Sequence, residues 1–362
     1  MQIGILKCSH EPLVAVVPTV AAKLIKDGYT VAIEKGAGLS SFFSDSDYQS
    51  KGVKVLDRNS LLSSSDVLLT VSGIDKDVLT ESKTGAVLIG KFNILQEPQN
   101  VETFQHSQLK VFSLDKVPRS SIAQSMDVLS SLASLAGYMA VIEAAHHFSG
   151  YLPMMTTAAG TVPPAKVLIL GAGVAGLQAI ATAKRLGAVV EAFDVRSAVK
   201  EEVQSLGAKF IEVEGATEDA GAGGYAIEQS QDYIQKQKEL IHEKASKADI
   251  VITTANIPGK KAPLLIEERT VNSMQAGSVI VDMASATGGN CALSKDEQTV
   301  IVNQVKIMGD SRLHNKLSKE ASILFSNNLY NFMKFIMKDG EVSFEHEIAN
   351  KTYFGKPLDS VA

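Results

Sequence analysis

The sequence predicts an α/β fold of two doubly wound parallel-sheet domains joined by long helices, with a cleft between them. Three observations predict it. At 362 residues the chain exceeds the size at which one hydrophobic core keeps growing. Short apolar, β-branched runs alternate with longer stretches of helical periodicity, the pattern of parallel strands covered by helices. That alternation occurs twice along the chain.

In the first half, strands are expected at Gln2 to Leu6, Thr30 to Glu34, Val67 to Val71, Ala86 to Ile89 and Val111 to Leu114. A helix from about Thr19 to Lys26 joins the first two, stopped by Gly28. Ser125 to Phe148 reads as one long helix with Met126, Leu129, Leu132, Ala133, Ala136, Met139 and Ala140 at helical spacing. It is either a core element or a spacer between two lobes, and its place between two sheets favours the spacer. The second set of strands is Lys166 to Leu170, Val189 to Phe193, Ile250 to Thr254, Ser278 to Asp282 and Val305 to Met308. A last helix, about Ser322 to Met337, carries the apolar stripe Phe325, Leu329, Phe332 and Ile336 and is expected to return to the first lobe. The domains are therefore 1–124 completed by 320–362, a linking helix at 125–148, and 149–319; the polar stretch from Asp339 to Ala362 has no assignment.

Bulk chemistry narrows the function. A hydrophobic fraction of 45% with 21% charged residues is that of a folded globular protein. A net charge of -5 without a Lys/Arg stripe argues against nucleic acid or anionic lipid as the main partner. Two distant cysteines, Cys8 and Cys291, suggest neither a disulfide framework nor a metal site, and fit a reducing compartment. No segment approaches the run of about 20 apolar residues that a membrane span needs, so a soluble chain is expected.

The sharpest local signal is Lys166-Val-Leu-Ile-Leu-Gly-Ala-Gly-Val-Ala-Gly176, an apolar strand that turns into a helix. Gly171, Gly173 and Gly176 form GxGxxG in the context the motif requires. Gly171 permits the tight turn, Gly173 lets the backbone approach a pyrophosphate, and Gly176 lets helix and strand pack closely. The helix N-terminus then presents N–H groups and a positive dipole end to the phosphates. The alternative is a glycine-rich turn of the kind any α/β protein can hold. Against it, Asp194 ends the next strand, 18 residues after Gly176, near the spacing at which a carboxylate accepts hydrogen bonds from the adenosine ribose. That carboxylate repels a 2′-phosphate and favours NAD(H) over NADP(H). Arg196 pulls the other way, but Asp194 at the strand tip is expected to decide.

With this Rossmann-like motif in place, the chain resembles the NAD(H)-binding component (alpha subunit, domain I) of proton-translocating NAD(P) transhydrogenases, from Met1 to about Lys334. The resemblance is densest in Pro118 to Ser131, Thr157 to Lys166, Ile180 to Ala188 and Thr253 to Gly259. It implies that the loop holding Arg119, Ser120, Ser121, Gln124, Asp127 and Ser130 lies against the nicotinamide. Gln124 and Ser130 are able to hydrogen-bond a carboxamide, while Arg119 and Asp127 fix each other and the ring. From residues alone an alternative stands equally well: Asp127 with Ser125 caps the long helix and Arg119 is a solvated charge. The resemblance selects the first reading. It also places Val174, Asp194, Val195, Arg196, Gln237, Ala255 and Asn256 on the adenosine side, although Asn256 departs from the more usual apolar residue. Gly224 and Tyr225 match a mobile loop that closes over the nucleotide, the alternative being a surface loop with an incidental tyrosine.

Alanine dehydrogenases are the relatives to exclude, since an NAD-dependent amino-acid dehydrogenase is the competing activity. Such an enzyme needs a cation for the substrate carboxylate and an acid to move a proton. The positions that carry them in that family fall here on Leu13, Ser72, Asn93 and Ala286, and His10, His106, His146 and His147 are not placed to replace them. Hydride transfer between two nicotinamides needs no acid, base or metal. The resemblance thus implies a chain that is not active alone. It implies NADP(H) on a partner component, a separate membrane domain that moves protons, a homodimer, and a place on the cytoplasmic or matrix face of an inner-membrane complex. A non-catalytic NAD sensor is the third class left open.

Overall fold

The computed structural model describes residues 1–213, 230–338 and 340–356. Contacts divide the chain into two compact units, Met1–Leu132 with Leu317–Ala362, and Ala133–Lys316. The division falls inside the helix Val128–His147.

The first unit is built on six parallel strands: β1 (Gln2–Ile5), β2 (Thr30–Glu34), β3 (Lys54–Leu56), β4 (Val67–Ser72), β5 (Val87–Lys91) and β6 (Lys110–Ser113). Their spatial order is β3-β2-β1-β4-β5-β6, so the strand order reverses between β1 and β4. Every residue of β4 and β5 is buried, as expected where helices cover both faces of a parallel sheet. The helix Ser318–Ile336 belongs to this unit, and its stripe Phe325, Leu329, Phe332 and Ile336 is fully buried. Phe332 meets Phe112 of β6 edge-on at 6.1 Å. On the same helix the Ser322 and Ser326 hydroxyls accept the N–H groups of Val14 and Val17, so the loop after β1 is tied down by polar as well as apolar contact.

The second unit opens with an antiparallel hairpin, β7 (Met155–Thr157) and β8 (Gly160–Val162), whose six residues are all exposed. Its main sheet holds β9 (Lys166–Leu170), β10 (Val189–Phe193), β11 (Lys209–Ile211), β12 (Ile250–Thr253), β13 (Val279–Asp282), β14 (Gln298–Val302) and β15 (Val305–Gly309). The order is β11-β10-β9-β12-β13-β15-β14, parallel except for β14 on the edge. The order reverses here between β9 and β12. One core cluster gathers Ala140, Val141 and Ala144 with Val167, Ile169, Ala179 and Ala183; a second gathers Leu168 and Leu170 with Ile241, Val251 and Ile280. β9 is therefore covered on both faces.

Several elements differ from expectation. The long helix does not run unbroken from Ser125: Ser121–Met126 is a 3-10 helix, Asp127 takes an extended ψ of 91°, and the α-helix starts at Val128. β3 and β11 are three-residue strands, too short to leave a pattern. β14 reaches β15 through Asn303 and Gln304, both with positive φ (48° and 64°), a tight hairpin turn whose usual Asn-Gly signature is missing. The tail contains the helix Glu347–Thr352, and Tyr353 bridges to Phe112 of β6. Finally, Val128–His147, at 20 residues with a mean hydropathy of 1.5, is by length and composition apolar enough to cross a membrane, against the expectation that no segment approaches this. Its serines interrupt the apolar run, yet the mean hydropathy stays high. Ala136, Ala140, Val141 and Ala144 of this helix lie in the core of the second unit.

Replacing Phe332 by Ala should lower unfolding stability by about 3–5 kcal/mol, because a fully buried ring leaves a cavity. Urea denaturation followed by circular dichroism measures this.

Candidate nucleotide site

Three loops meet at the carboxyl ends of adjacent strands in the second unit. β9 runs into Gly171-Ala-Gly173, β10 into Asp194-Val-Arg196, and β12 into Thr254-Ala-Asn256. The pairings Leu170 with Phe193 and Leu170 with Thr253 place these exits side by side, where the strand order reverses. In open parallel sheets that is where ligands bind.

The glycine turn is held by its own backbone. Gly171 has a φ of +101°, closed to most side chains, and its N–H donates to the Phe193 carbonyl at 2.8 Å. A Cβ on Gly176 would stand 1.9 Å from the Gly171 carbonyl oxygen, so the helix Val174–Arg185 sits on the turn at backbone distance. Gly137, on the helix Val128–His147, makes the same kind of contact from another side: its Cβ would lie 2.1 Å from the Ala175 carbonyl oxygen. Gly173 behaves differently. The nearest atom to a Cβ there is Arg196 Nη2 at 4.0 Å, so the surface above Gly173 is open. Gly173 begins the helix with no side-chain cap and no acidic residue in the first turn, which suits an anion at that end. The residues thus fit a dinucleotide pyrophosphate: closed where the turn must be tight, open where a phosphate must approach.

Asp194 is 8% exposed and fully engaged. Its Oδ2 accepts Ala172 N–H and Arg196 Nη2, each at 2.7 Å, and its Oδ1 accepts Arg196 N–H and Nε, each at 2.9 Å. The hydrogen bond to Asp194 raises the pKa of the Arg196 guanidinium, against burial, which lowers it. Tyr233, buried on the helix Gln231–Ala245, has its phenol pushed up first by burial and then by the Asp194 charge. Gln237 follows one turn later on that helix and is also buried. Val174 is exposed, and Val195 half-buried. Gly224 and Tyr225 lie outside the described residues.

The third loop is anchored from below by residues that the sequence did not single out. Thr254 Oγ1 donates to the Gly171 carbonyl at 3.0 Å, joining the β9 and β12 exits. Asn290, wholly buried, accepts the Ala255 N–H and donates to the carbonyls of Ala255 and Pro263. Asn290 is in turn fixed by its own N–H to Asp282, whose buried carboxylate also accepts from Thr253, Ala284 and Cys291. Burial, ahead of the charge of Asp282, pushes the Cys291 thiol up to about 11. Asn256 is exposed and accepts a bond from Thr287 Oγ1 at 3.2 Å.

The 119–130 loop belongs to the first unit. Arg119, Ser120, Ser121 and Gln124 are exposed, while Ala123 and Met126 are buried beneath them. Asp127 accepts the Ser130 N–H at 2.9 Å and its hydroxyl at 2.6 Å, so Asp127 caps the helix and holds Ser130 at once. From the helix Ser318–Ile336, Asn328 and Asn331 both donate to the Ser125 carbonyl, at 2.9 and 3.0 Å. They fix the residue next to Gln124. Nothing short of the fold reveals them, since they are about 200 residues away in sequence.

Two family models cover most of the chain: alanine dehydrogenase/PNT, N-terminal domain, at residues 7–136, and its C-terminal domain at 140–354. The chain is 43% identical over 347 residues to an NAD(P) transhydrogenase subunit alpha protein of Rickettsia prowazekii (strain Madrid E), covering 94% of this chain and 91% of that protein. The family is settled by that match. This chain belongs to the NAD(P) transhydrogenase alpha-subunit family, within the wider alanine dehydrogenase/PNT group. It is also 41% identical over 341 residues to subunit alpha of Haemophilus influenzae (strain ATCC 51907 / DSM 11121 / KW20 / Rd), covering 93% of this chain and 66% of that longer protein. A crystal structure of transhydrogenase from Sinorhizobium meliloti matches with a TM-score of 0.90 at 40% identity, over 98% of this chain and 99% of that one. An L-alanine dehydrogenase structure matches at 0.81 and 22% identity, over 98% and 94%, a likeness of fold.

Within this transhydrogenase family chain, the four positions expected to carry alanine dehydrogenase chemistry offer none of it. Leu13 is buried, Ser72 ends β4, and Ala286 sits in a short 3-10 turn. Asn93 lies in a loop wrapped around Asp115, whose carboxylate accepts the N–H groups of Phe92, Asn93 and Ile94 and the Ser113 hydroxyl; Asn93 itself has a φ of +50°. The nearby cation Lys91 is bound to Glu11 at 3.0 Å, with both side chains almost fully buried.

Gly176→Ala should destabilise the protein by about 1–3 kcal/mol through overpacking against the Gly171 carbonyl. Gly173→Ala should leave stability within about 0.5 kcal/mol, as at an open surface position. Thermal melting of the two variants side by side checks the contrast.

Proposed function

We propose that this chain binds NAD(H) at the glycine turn of its second unit and presents the nicotinamide for direct hydride exchange with NADP(H) carried by a partner component. Proton translocation then belongs to a membrane domain outside this chain. The observation that carries the reading is the pair formed by the open Gly173 surface and Asp194 at the tip of β10, inside a chain of the transhydrogenase alpha-subunit family.

The roles follow from the residues. Gly171, Gly173 and Gly176 would hold the pyrophosphate; Val174, Asp194, Val195, Arg196, Gln237, Ala255 and Asn256 the adenosine half. Arg119, Ser120, Ser121, Gln124, Asp127 and Ser130 would serve the nicotinamide end, with Gly224 and Tyr225 in the closing loop. The bound nicotinamide supplies a hydride at C4. The protein orients the ring and keeps water away, and the two C4 atoms must come within about 3–3.5 Å. Gln124 is an exposed amide able to donate and accept at a carboxamide, and the Asn328–Asn331 clamp on Ser125 keeps its backbone in place. The substitutions at Leu13, Ser72, Asn93 and Ala286, with Lys91 neutralised by Glu11, support a partner that is a second dinucleotide rather than an amino acid. We further assign the chain to the soluble portion of an inner-membrane complex, as a homodimer on the cytoplasmic or matrix face.

Mixing the chain with an NADP(H)-binding transhydrogenase component should give transfer from NADH to an NADP analogue. Alanine-dependent reduction of NAD by the chain alone would instead make it an amino-acid dehydrogenase, and no exchange with the partner would leave only a sensor. Gln124→Asn should slow hydride transfer by about tenfold or more while changing NADH affinity far less, measured by stopped flow against equilibrium titration. Asp194→Ser should narrow the preference for NADH over NADPH by about tenfold, the loss of roughly one charged hydrogen bond, read from the two dissociation constants.

A further inference from the structure

The first turn of the helix Val174–Arg185 is gripped from two sides at backbone distance. On one side Gly176 rests on the Gly171 carbonyl, inside the glycine motif itself. On the other stands Gly137, far upstream in sequence, on the part of the helix Val128–His147 that belongs to the second unit. A Cβ at Gly137 would lie 2.1 Å from the Ala175 carbonyl oxygen, 2.8 Å from its carbon and 3.0 Å from the Ala175 Cα. All three are main-chain atoms, so no side chain is able to rotate away and make room. Around this contact, Ala136, Ala140 and Ala144 of one helix share a core cluster with Ala179 and Ala183 of the other, small residues that permit the approach. Helix propensity alone favours alanine over glycine at position 137, so packing and not local conformation accounts for the glycine.

The gripped turn is the one that offers donors to an anion. Leu177 N–H bonds to the Gly173 carbonyl at 2.8 Å, as the helix ladder begins, and the N–H groups of Val174, Ala175 and Gly176 before it have no intrahelical acceptor. The turn carries no side-chain cap and no acid, and the surface above Gly173 is open. Where those N–H groups point therefore depends on how the turn is seated, and Gly137 is half of the seat.

We propose that Gly137 is a positioning residue for the pyrophosphate of the dinucleotide: by meeting the Ala175 main chain it sets the aim of the first-turn N–H groups. This rests on the nucleotide site proposed above. In this role Gly137 acts through the Ala175 peptide and not by contact with the ligand. A methyl group there must push the two helices apart by on the order of 1 Å, the shortfall from ordinary van der Waals contact. Hydrogen bonds from the turn to a phosphate do not survive such a shift unchanged. The loops leaving β10 and β12, which serve the adenosine half, are not seated on Gly137, so the effect falls on ligands that carry phosphates.

Gly137→Ala should weaken binding of NADH and of ADP about tenfold, the loss of roughly one charge-assisted hydrogen bond, with adenosine affinity held within about twofold. Val141→Ala is the control. Val141 is fully buried on the same helix and in the same core cluster, so its truncation lowers stability without pressing on the turn, and NADH affinity should stay within about twofold. Equilibrium titration of the three ligands, alongside thermal melting of both variants, measures this. If Gly137→Ala does not fold, amide hydrogen exchange of the wild-type chain decides: ADP should slow exchange at residues 137–141 and adenosine should not.

A Gly137→Ala protein that binds NADH as tightly as wild type would overturn the inference. So would equal losses of ADP and adenosine affinity, an equal loss in Val141→Ala, or equal effects of ADP and adenosine on exchange. A wild-type chain that binds neither NADH nor ADP would instead remove the nucleotide-site reading beneath it.

Discussion

The second unit depends on backbone meeting backbone at one turn. The helix Val174–Arg185 approaches the Gly171 carbonyl so closely that position 176 has no room for a single methyl, and Gly137 brings another helix onto the Ala175 carbonyl in the same way. These contacts set where Ala172 N–H points, and Ala172 N–H sets the orientation of Asp194. Thr254 adds the β12 exit to the same carbonyl. Local side-chain chemistry at the site is thus downstream of a main-chain packing constraint, which is why three glycines shape the site more than any charged residue does.

The two units repeat a plan with different endings. In both, an N–H just after the first central strand donates to an acidic residue at the end of the neighbouring strand: Ala172 to Asp194 at 2.7 Å, and Lys7 to Glu34 at 2.8 Å. In both, an arginine binds that acid. The first unit has Leu6-Lys7-Cys8 where the second has Gly171-Ala172-Gly173, so its chain cannot fold back at backbone distance. A small cavity opens there instead, and its charged lining is occupied by internal pairs of Arg58 with Glu34, Asp75 and Asp77 and of His10 with Asp75. Similar topology has produced one turn suited to phosphates and one closed by side chains.

Most of the fold was legible because buried parallel strands write themselves as continuous apolar runs: β9 and β10 coincide with the expected Lys166 to Leu170 and Val189 to Phe193. What escaped was short or on an edge. β3 and β11 have three residues each, and β14 shows one face to solvent with a turn, Asn303-Gln304, that lacks glycine. At the site, the glycine turn and Asp194 were visible as spacing. The Asn290–Asp282 and Asn328–Asn331 anchors were not, because each acts on a main-chain group that any residue could supply. Nor did spacing show that Asp194 is held on two edges by Arg196, a fact of rotamer and not of sequence distance. At Asp127 the structure shows the capping arrangement, with Ser130 rather than Ser125 as its companion.

At the loop around Asp115 the main chain itself is committed. Three consecutive amides there close on an internal carboxylate, and Asn93 is held in a left-handed conformation that β-branched and bulky side chains resist. An imidazole placed at that position would still sit on a backbone committed to an internal anion, with Lys91 still paired to Glu11. Remodelling this corner would mean undoing the loop before changing its residues. Exchanging the Asn93 side chain alone leaves three amides, and the anion they enclose, where they are.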